Sequence, residues 1–349
     1  MKVDKRVFAE HDGQTVHAYT LHNDKGMQLT CIDYGCVITE WLAPDHQGHY
    51  ENVVLGFDHI DDYEEHSPYF GAIIGRVAGR IKDASFDLEG RSYTLAQNDG
   101  QNHLHGGVKG WDRVLWKGEP FQTEQEVGVV FTYTSPDGEE GYPGQVEAKV
   151  TYTLHEDDAL TIEYDAQPNQ TTIINMTNHT YFNLSGDLQR DVLQHELMIK
   201  SDEFLELADD LIPTGAFIDV TNTPFDFRQG RKIVDGVKSQ HPQNILAGRG
   251  YDHPMRLSVN NTEEIQLMDK QSGRKLVVET DQPSVVLYTG NMLDNQFKIR
   301  GVPSRKYLGL CLETQKLPDA IHHPEFESTV VKEGQRYRAK TTYTFSVVS

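Results

Sequence analysis

QVEAKVTYTL, at 145–154, alternates without a break: Val146, Ala148, Val150, Tyr152 and Leu154 fall on one side, Glu147, Lys149, Thr151 and Thr153 on the other. Only an extended chain, whose successive side chains point to opposite faces, turns that alternation into one apolar and one polar surface. After the polar break HEDDA, the run LTIEYDA at 160–166 repeats the pattern with Leu160, Ile162, Tyr164 and Ala166 inward. The two runs therefore predict a β-hairpin closed by a loop of about five residues.

The end of the chain behaves in the same way, with Tyr337, Ala339, Thr341, Tyr343, Phe345 and Val347 on one face and Arg338, Lys340, Thr342, Thr344 and Ser346 on the other. Strand-like runs also occur at 28–38, 127–134, 173–177, 275–280, 284–289 and 308–314, separated by clusters of Gly, Pro, Asp and Asn. Long amphipathic helical patterns are missing. Many short strands without intervening helices predict an all-β fold, a large antiparallel β-sandwich, and argue against a doubly wound sheet or a βα barrel. Glycine and proline are spread as turn punctuation and no low-complexity linker or repeat interrupts them, so residues 1–349 are expected to form a single domain.

Composition narrows the function. Lys and Arg number 32 against 53 Asp and Glu, a formal charge of -21. Such a surface repels phosphate backbones and anionic headgroups, so nucleic acid and membrane partners are not expected, and the acidity reads as a solubility feature. The cysteines are Cys31, Cys36 and Cys311, odd in number and without a C-x-x-C pair, which predicts reduced thiols rather than a disulfide framework. In MKVDKRVFAEHDG at 1–13 the charges of Asp4, Lys5, Arg6 and Glu10 leave no signal-peptide core, and no run approaches the roughly 18 apolar residues of a membrane span. A cytoplasmic location is the expectation. Oligomeric state leaves no trace in the sequence.

Phosphate-binding loops of the G-x-G-x-x-G and G-x-x-x-x-G-K-[ST] kinds are absent, and GRVAGR at 75–80 is not one. A G-x-S-x-G nucleophile elbow is absent too, so acyl-enzyme chemistry has no support. Sixteen histidines raise the question of a metal, above all His103 and His105 of NHLHGG, which would share a face if that segment were a strand. No HExxH or Cys/His cluster follows, and the plainer reading of His105 is a turn histidine beside Gly106 and Gly107. TNHTYFNLSG at 177–186 sets His179 among Asn178, Tyr181 and Asn183 after an apolar run, the mixture of rings and amides that suits a sugar pocket. In RGYDHP at 249–254, Asp252 lies between Tyr251 and His253 and could be no more than a loop aspartate capping its own backbone. Glu313 directly follows the apolar run 308–312, and a carboxylate at the end of a buried strand is costly unless paired or functional.

Taken together, YFGAIIGRVAGRI, NHLHGG, GWDRVLW, DGEEGYPG, TNHTYFNLSG, PFDFR, RGYDH, LYTGN and ETQKLPDAIHHP resemble, in this order from about residue 29 to 345, the aldose 1-epimerase (galactose mutarotase) family. Each motif alone is weak; the ordered set is specific. The resemblance implies the galactose mutarotase-like supersandwich and a cleft for a small-molecule sugar, with no metal or cofactor. It also implies interconversion of the α and β anomers of free hexoses such as galactose and glucose. Carried over by position, Glu313 corresponds to the general base and His179 to the general acid, while Arg80, His105, Asp252 and Tyr181 correspond to substrate-binding groups. Many members carry asparagine where this chain has Gly79 and glutamine where it has Val286, so two sugar contacts are expected to differ. Two further readings stay open: a hexose-6-phosphate mutarotase, for which Arg76, Arg80 and Lys82 are the local candidates, and a non-catalytic carbohydrate-binding protein. A glycosidase using Asp252 and Glu313 would leave His179 unexplained.

Overall fold

The computed structural model describes residues 1–348. The hairpin read from 145–166 forms the middle of a nine-stranded antiparallel sheet, as Val146–His155 paired with Ala159–Pro168. Val150 faces Tyr164 and Tyr152 faces Ile162, and all four are buried. The connection is shorter than expected, because His155 and Ala159 pair with Glu126 and Thr344 on the outer neighbours and so remain in the strands. The terminal strand Tyr337–Val347 lies beside this hairpin, between Ala159–Pro168 and Arg274–Thr280.

A second, five-stranded sheet runs in chain order from Lys2–His11 to Tyr50–Asn52. Its Trp41 packs edge-on against Tyr343 and Phe345 of the large sheet, with ring centroids 6.2 and 5.0 Å away. The run 28–38 is not one strand. Gly35 and Cys36 adopt positive φ (61° and 49°), so the chain doubles back between Gln28–Ile32 and Ile38–Pro44. A Cβ on Gly35 would lie 2.2 Å from the Asp112 carbonyl oxygen, so the reversal requires glycine. The apolar run 173–177 also differs from its reading. Its backbone is divided among Val330–Val331, Arg76 and Ile73–Ile74 instead of joining one ladder.

The third sheet, of six strands, positions the site. Its order is Tyr181–Phe182, Leu310–Gln315, Ser284–Tyr288, Asp252–Arg256, Glu203–Leu207 and Pro213–Asp219. Leu312, Leu287, Val285 and Met255 point into the core shared with the other sheets. Because side chains alternate, the other face carries two parallel rows: Tyr181, Cys311, Tyr288 and Asp252 in one, Glu313, Val286 and Pro254 in the next. Helices are short (Ile60–His66, Ile233–Lys238, Pro242–Leu246), and among the described residues none is long and apolar enough to cross a membrane. The all-β architecture expected from the sequence is the one observed, in antiparallel sheets packed around a common core.

Candidate active site

Outside the second face of the six-stranded sheet lies a cavity of about 440 Å³. Arg80, His105, His179, Tyr181, Asp252 and Glu313 all line it, although they come from five separate stretches of chain. Nothing along the chain beyond their motifs marks them as neighbours; the sheet register and two glycine turns bring them together.

Glu313 does not end its strand. Leu310–Gln315 continues two residues past it, and Glu313 pairs directly with Val286, so its carboxyl group stands beside an apolar neighbour with only 3 % of the residue exposed. Burial and then the Asp252 carboxylate push its pKa well above the ordinary range, with Arg80 opposing. Asp252, itself raised by burial, sits one strand beyond Tyr288.

His179 is fixed through its backbone, its N–H donating to the Ala72 carbonyl (2.8 Å) and its own carbonyl accepting from Gly71 N–H (3.1 Å). Its ring lies between the Tyr181 ring at 5.1 Å and the Tyr69 ring at 5.6 Å, and its Nε2 is 3.5 Å from Glu313 Oε1. Burial pulls its pKa down to about 4. Tyr181 presents its ring to His179 while its hydroxyl donates to the Pro68 carbonyl at 3.0 Å, so it is the ring face, rather than the hydroxyl, that it brings to the site.

His105 occupies a left-handed turn position (φ 50°) next to Gly106, whose Cβ would fall 1.8 Å from the Gly75 carbonyl oxygen. The turn reading of His105 is thus correct, although His103–Leu104 just before it pairs as a short strand with Arg80–Ile81, and the turn aims His105 at the cavity, 5.2 Å in ring centroids from His179. His103 takes a different course. Its ring bonds to the Ala96 carbonyl and the Tyr142 hydroxyl, which makes it a structural histidine of the interior.

His105, His179 and Glu313 offer ligand-type atoms within 4.8 Å of one another, the geometry a metal would need. The donor set does not fit one. Gly79 N–H donates to His105 Nδ1 (3.2 Å), so the proton of the neutral imidazole resides on Nε2 and neither nitrogen has a free lone pair. Burial, and then His179, hold His105 neutral. The donor it can offer to the cavity is therefore Nε2–H.

Arg80 donates through Nε to Asp99 Oδ2 at 2.6 Å, and among the described residues its terminal nitrogens have no protein acceptor. Arg76, a candidate for binding phosphate, is fully buried and bonded to Ser135 and the carbonyls of Pro136 and Pro143, away from the cavity. The two departures noted in the sequence both reach the site. Val286 flanks Glu313, and Gly79 (φ 79°) has Pro318 Cβ 2.8 Å from where its own Cβ would be, so no side chain fits there. Sequence reasoning missed Tyr69, Asp99 and Tyr288, which also line the cavity. Asp99 lies in a turn that carries no chemical signature, whereas Tyr69 opens the YFGAIIGRVAGRI motif and Tyr288 belongs to LYTGN, on the register of Asp252.

Residues 17–344 match the profile of the aldose 1-epimerase family. Galactose mutarotase of Bos taurus is 42% identical over 336 residues, 95% of each chain, and that of Homo sapiens 40% identical over 350 residues, 99% of each. Among solved structures, galactose 1-epimerase from Lactobacillus acidophilus superimposes with a TM-score of 0.89 at 27% identity, covering 100% of this chain and 99% of its own. The aldose epimerase homologue from C. elegans gives 0.84 at 29% identity, covering 95% of this chain and 98% of its own.

Proposed function

The chain belongs to the aldose 1-epimerase family, and from that membership we propose that it interconverts the α and β anomers of free hexoses such as galactose and glucose, with Glu313 and His179 as its acid–base pair. The observation that carries the pair is the 3.5 Å approach of His179 Nε2 to Glu313 Oε1 in the wall of a cavity also lined by Arg80, His105 and Asp252. Mutarotation breaks the bond between C1 and the ring oxygen. A base must take the proton of the anomeric hydroxyl while an acid delivers one to the ring oxygen; rotation about C1–C2 and reclosure with the roles exchanged give the other anomer.

The pair suits that exchange because its surroundings leave it one proton between two sites. Burial disfavours charge on both groups, raising Glu313 and lowering His179, and the proton each step consumes at one group is returned at the other. His105 Nε2–H, the terminal nitrogens of Arg80 and the Asp252 carboxylate supply donors and an acceptor for the remaining hydroxyls, while the rings of Tyr69 and Tyr181 hold His179 in place. Arg80 is the only Lys or Arg lining the cavity among the described residues, and it already holds Asp99, which favours a free sugar over a sugar phosphate.

Polarimetry of freshly dissolved α-galactose and α-glucose tests the function: the protein speeds the approach to anomeric equilibrium. Binding without acceleration would leave a carbohydrate-binding protein. The same assay gives a pH profile. A second proton enters at His179 near its lowered value and the shared proton is lost above the raised value of Glu313, so kcat/KM falls as pH drops towards about 4 and falls again as pH rises through the raised value of Glu313, with a plateau between. A profile that already declines between pH 7 and 5 would contradict this proton count. Asp252→Asn, which removes the charge of a hydrogen-bond partner worth about 1.5–3 kcal/mol, and Arg80→Lys, which keeps the charge but loses the forked guanidinium donors, are expected to raise KM by about 10-fold or more, with a smaller fall in kcat. A change in kcat alone would move these residues from binding into the chemistry.

The cysteines, all buried and unpaired, support a reducing compartment, and we place the protein in the cytoplasm. The three sheets share one core cluster, which supports a single domain.

A further inference from the structure

The acid–base reading uses only one edge of the His179 ring. Exchange at Nε2 needs a lone pair there when the imidazole is neutral, so the other proton must stay on Nδ1, and a buried N–H on Nδ1 needs an acceptor. The atom at that position is Cys311 Sγ, 3.5 Å from Nδ1. Its place follows from strand geometry: Cys311 and Glu313 are two residues apart on Leu310–Gln315, so they share a face, and each meets one nitrogen of the same ring.

We propose that Cys311 is a positioning residue whose thiol sulfur accepts Nδ1–H of His179, fixing the tautomer in which Nε2 exchanges protons with the sugar. The inference rests on His179 as the proton-transferring group. Cys311 exchanges no proton with substrate and forms no covalent bond; burial, followed by the nearby Glu313 and Asp252 carboxylates, pushes its pKa well up, so it remains a neutral thiol. A neutral sulfur is a weak acceptor, and the difference from a carboxylate in the same place is chemical. A carboxylate would stabilise the imidazolium, whereas sulfur orients the ring and leaves the protonated form a strong acid. The other groups around the ring, Tyr69, His105, Tyr181 and Tyr288, approach as aromatic faces or edges, and Glu313 lies at Nε2.

The test is ¹⁵N NMR of the His179 ring in the intact protein, together with steady-state kinetics, for wild type, Cys311→Ser, Cys311→Ala and Cys311→Val. The wild type is expected to show a protonated Nδ1 and an unprotonated Nε2 at pH 8. Ser, which keeps an acceptor, retains that pattern. In Ala and Val the proton moves to Nε2, where it faces Glu313, and kcat falls by about 5- to 10-fold with KM within about twofold, the loss expected of one modest hydrogen bond. Val retains the packing volume of the buried site, so a poorly folded Ala variant does not remove the test. Unchanged Nδ1 protonation in both Ala and Val, or wild-type kcat in both, overturns the inference. Because the tautomer is read without turnover, this result is separate from the fate of the acid–base pair, which fails if His179→Gln keeps its activity.

Discussion

Glu313→Gln lowers kcat by about 10³-fold while KM stays within a few-fold of wild type. The magnitude is the middle of the roughly 10²–10⁴-fold that a positioned acid or base contributes. The amide has nearly the shape of the carboxyl group and still hydrogen-bonds a hydroxyl, so ground-state binding through Arg80, His105 and Asp252 persists while proton exchange stops. The substitution also removes a group whose charge is opposed by burial and by Asp252. Unfolding temperature should therefore hold or rise, and this separates a chemical defect from a damaged fold. Polarimetric kcat and KM beside a thermal melt make the comparison. Near wild-type turnover would remove Glu313 from the reaction, and a proportionate loss of kcat and stability would recast it as a structural group.

Much of this was legible in the chain because β-structure writes its period directly into the sequence. The alternation of 145–166 and 337–347 needs no partner to be read, and both became central strands of the large sheet with their apolar sides inward. Continuous apolar runs were harder. The run 28–38 hides a reversal at Gly35 and Cys36, and 173–177 serves three partners, because burial on all sides erases the alternation that would mark a strand's limits. In the site, motif resemblance supplied the residues but not their states. That His105 is a fixed donor follows from a single backbone N–H of Gly79, and that the sulfur of Cys311 faces His179 follows from strand register. Tyr69, the first residue of YFGAIIGRVAGRI, reaches both histidine rings from a bend, and nothing in the motif says which way its ring turns.

His179→Gln should be the second severe variant, with kcat lowered by roughly 10²–10³-fold, and its contrast with Glu313→Gln is informative. Glutamine can donate a hydrogen bond to the ring oxygen but cannot deliver a proton, so the C1–O bond would have to break with its charge held only by the hydrogen bonds of His105 and the amide. That leaves some stabilisation, and the loss should be smaller than for the base. His105 cannot substitute, since Gly79 N–H occupies its Nδ1 and its Nε2 proton has nowhere to be replenished. The pH profile distinguishes this from a general disruption. With His179 gone, Glu313 alone must enter as the carboxylate, and its raised pKa becomes the acid limb. The plateau of the wild type gives way to residual activity that rises with pH until the carboxyl group ionises. A His179→Gln variant that kept the wild-type profile at reduced height would mean that a different group supplies the proton, and His105→Gln would then be the variant to measure next.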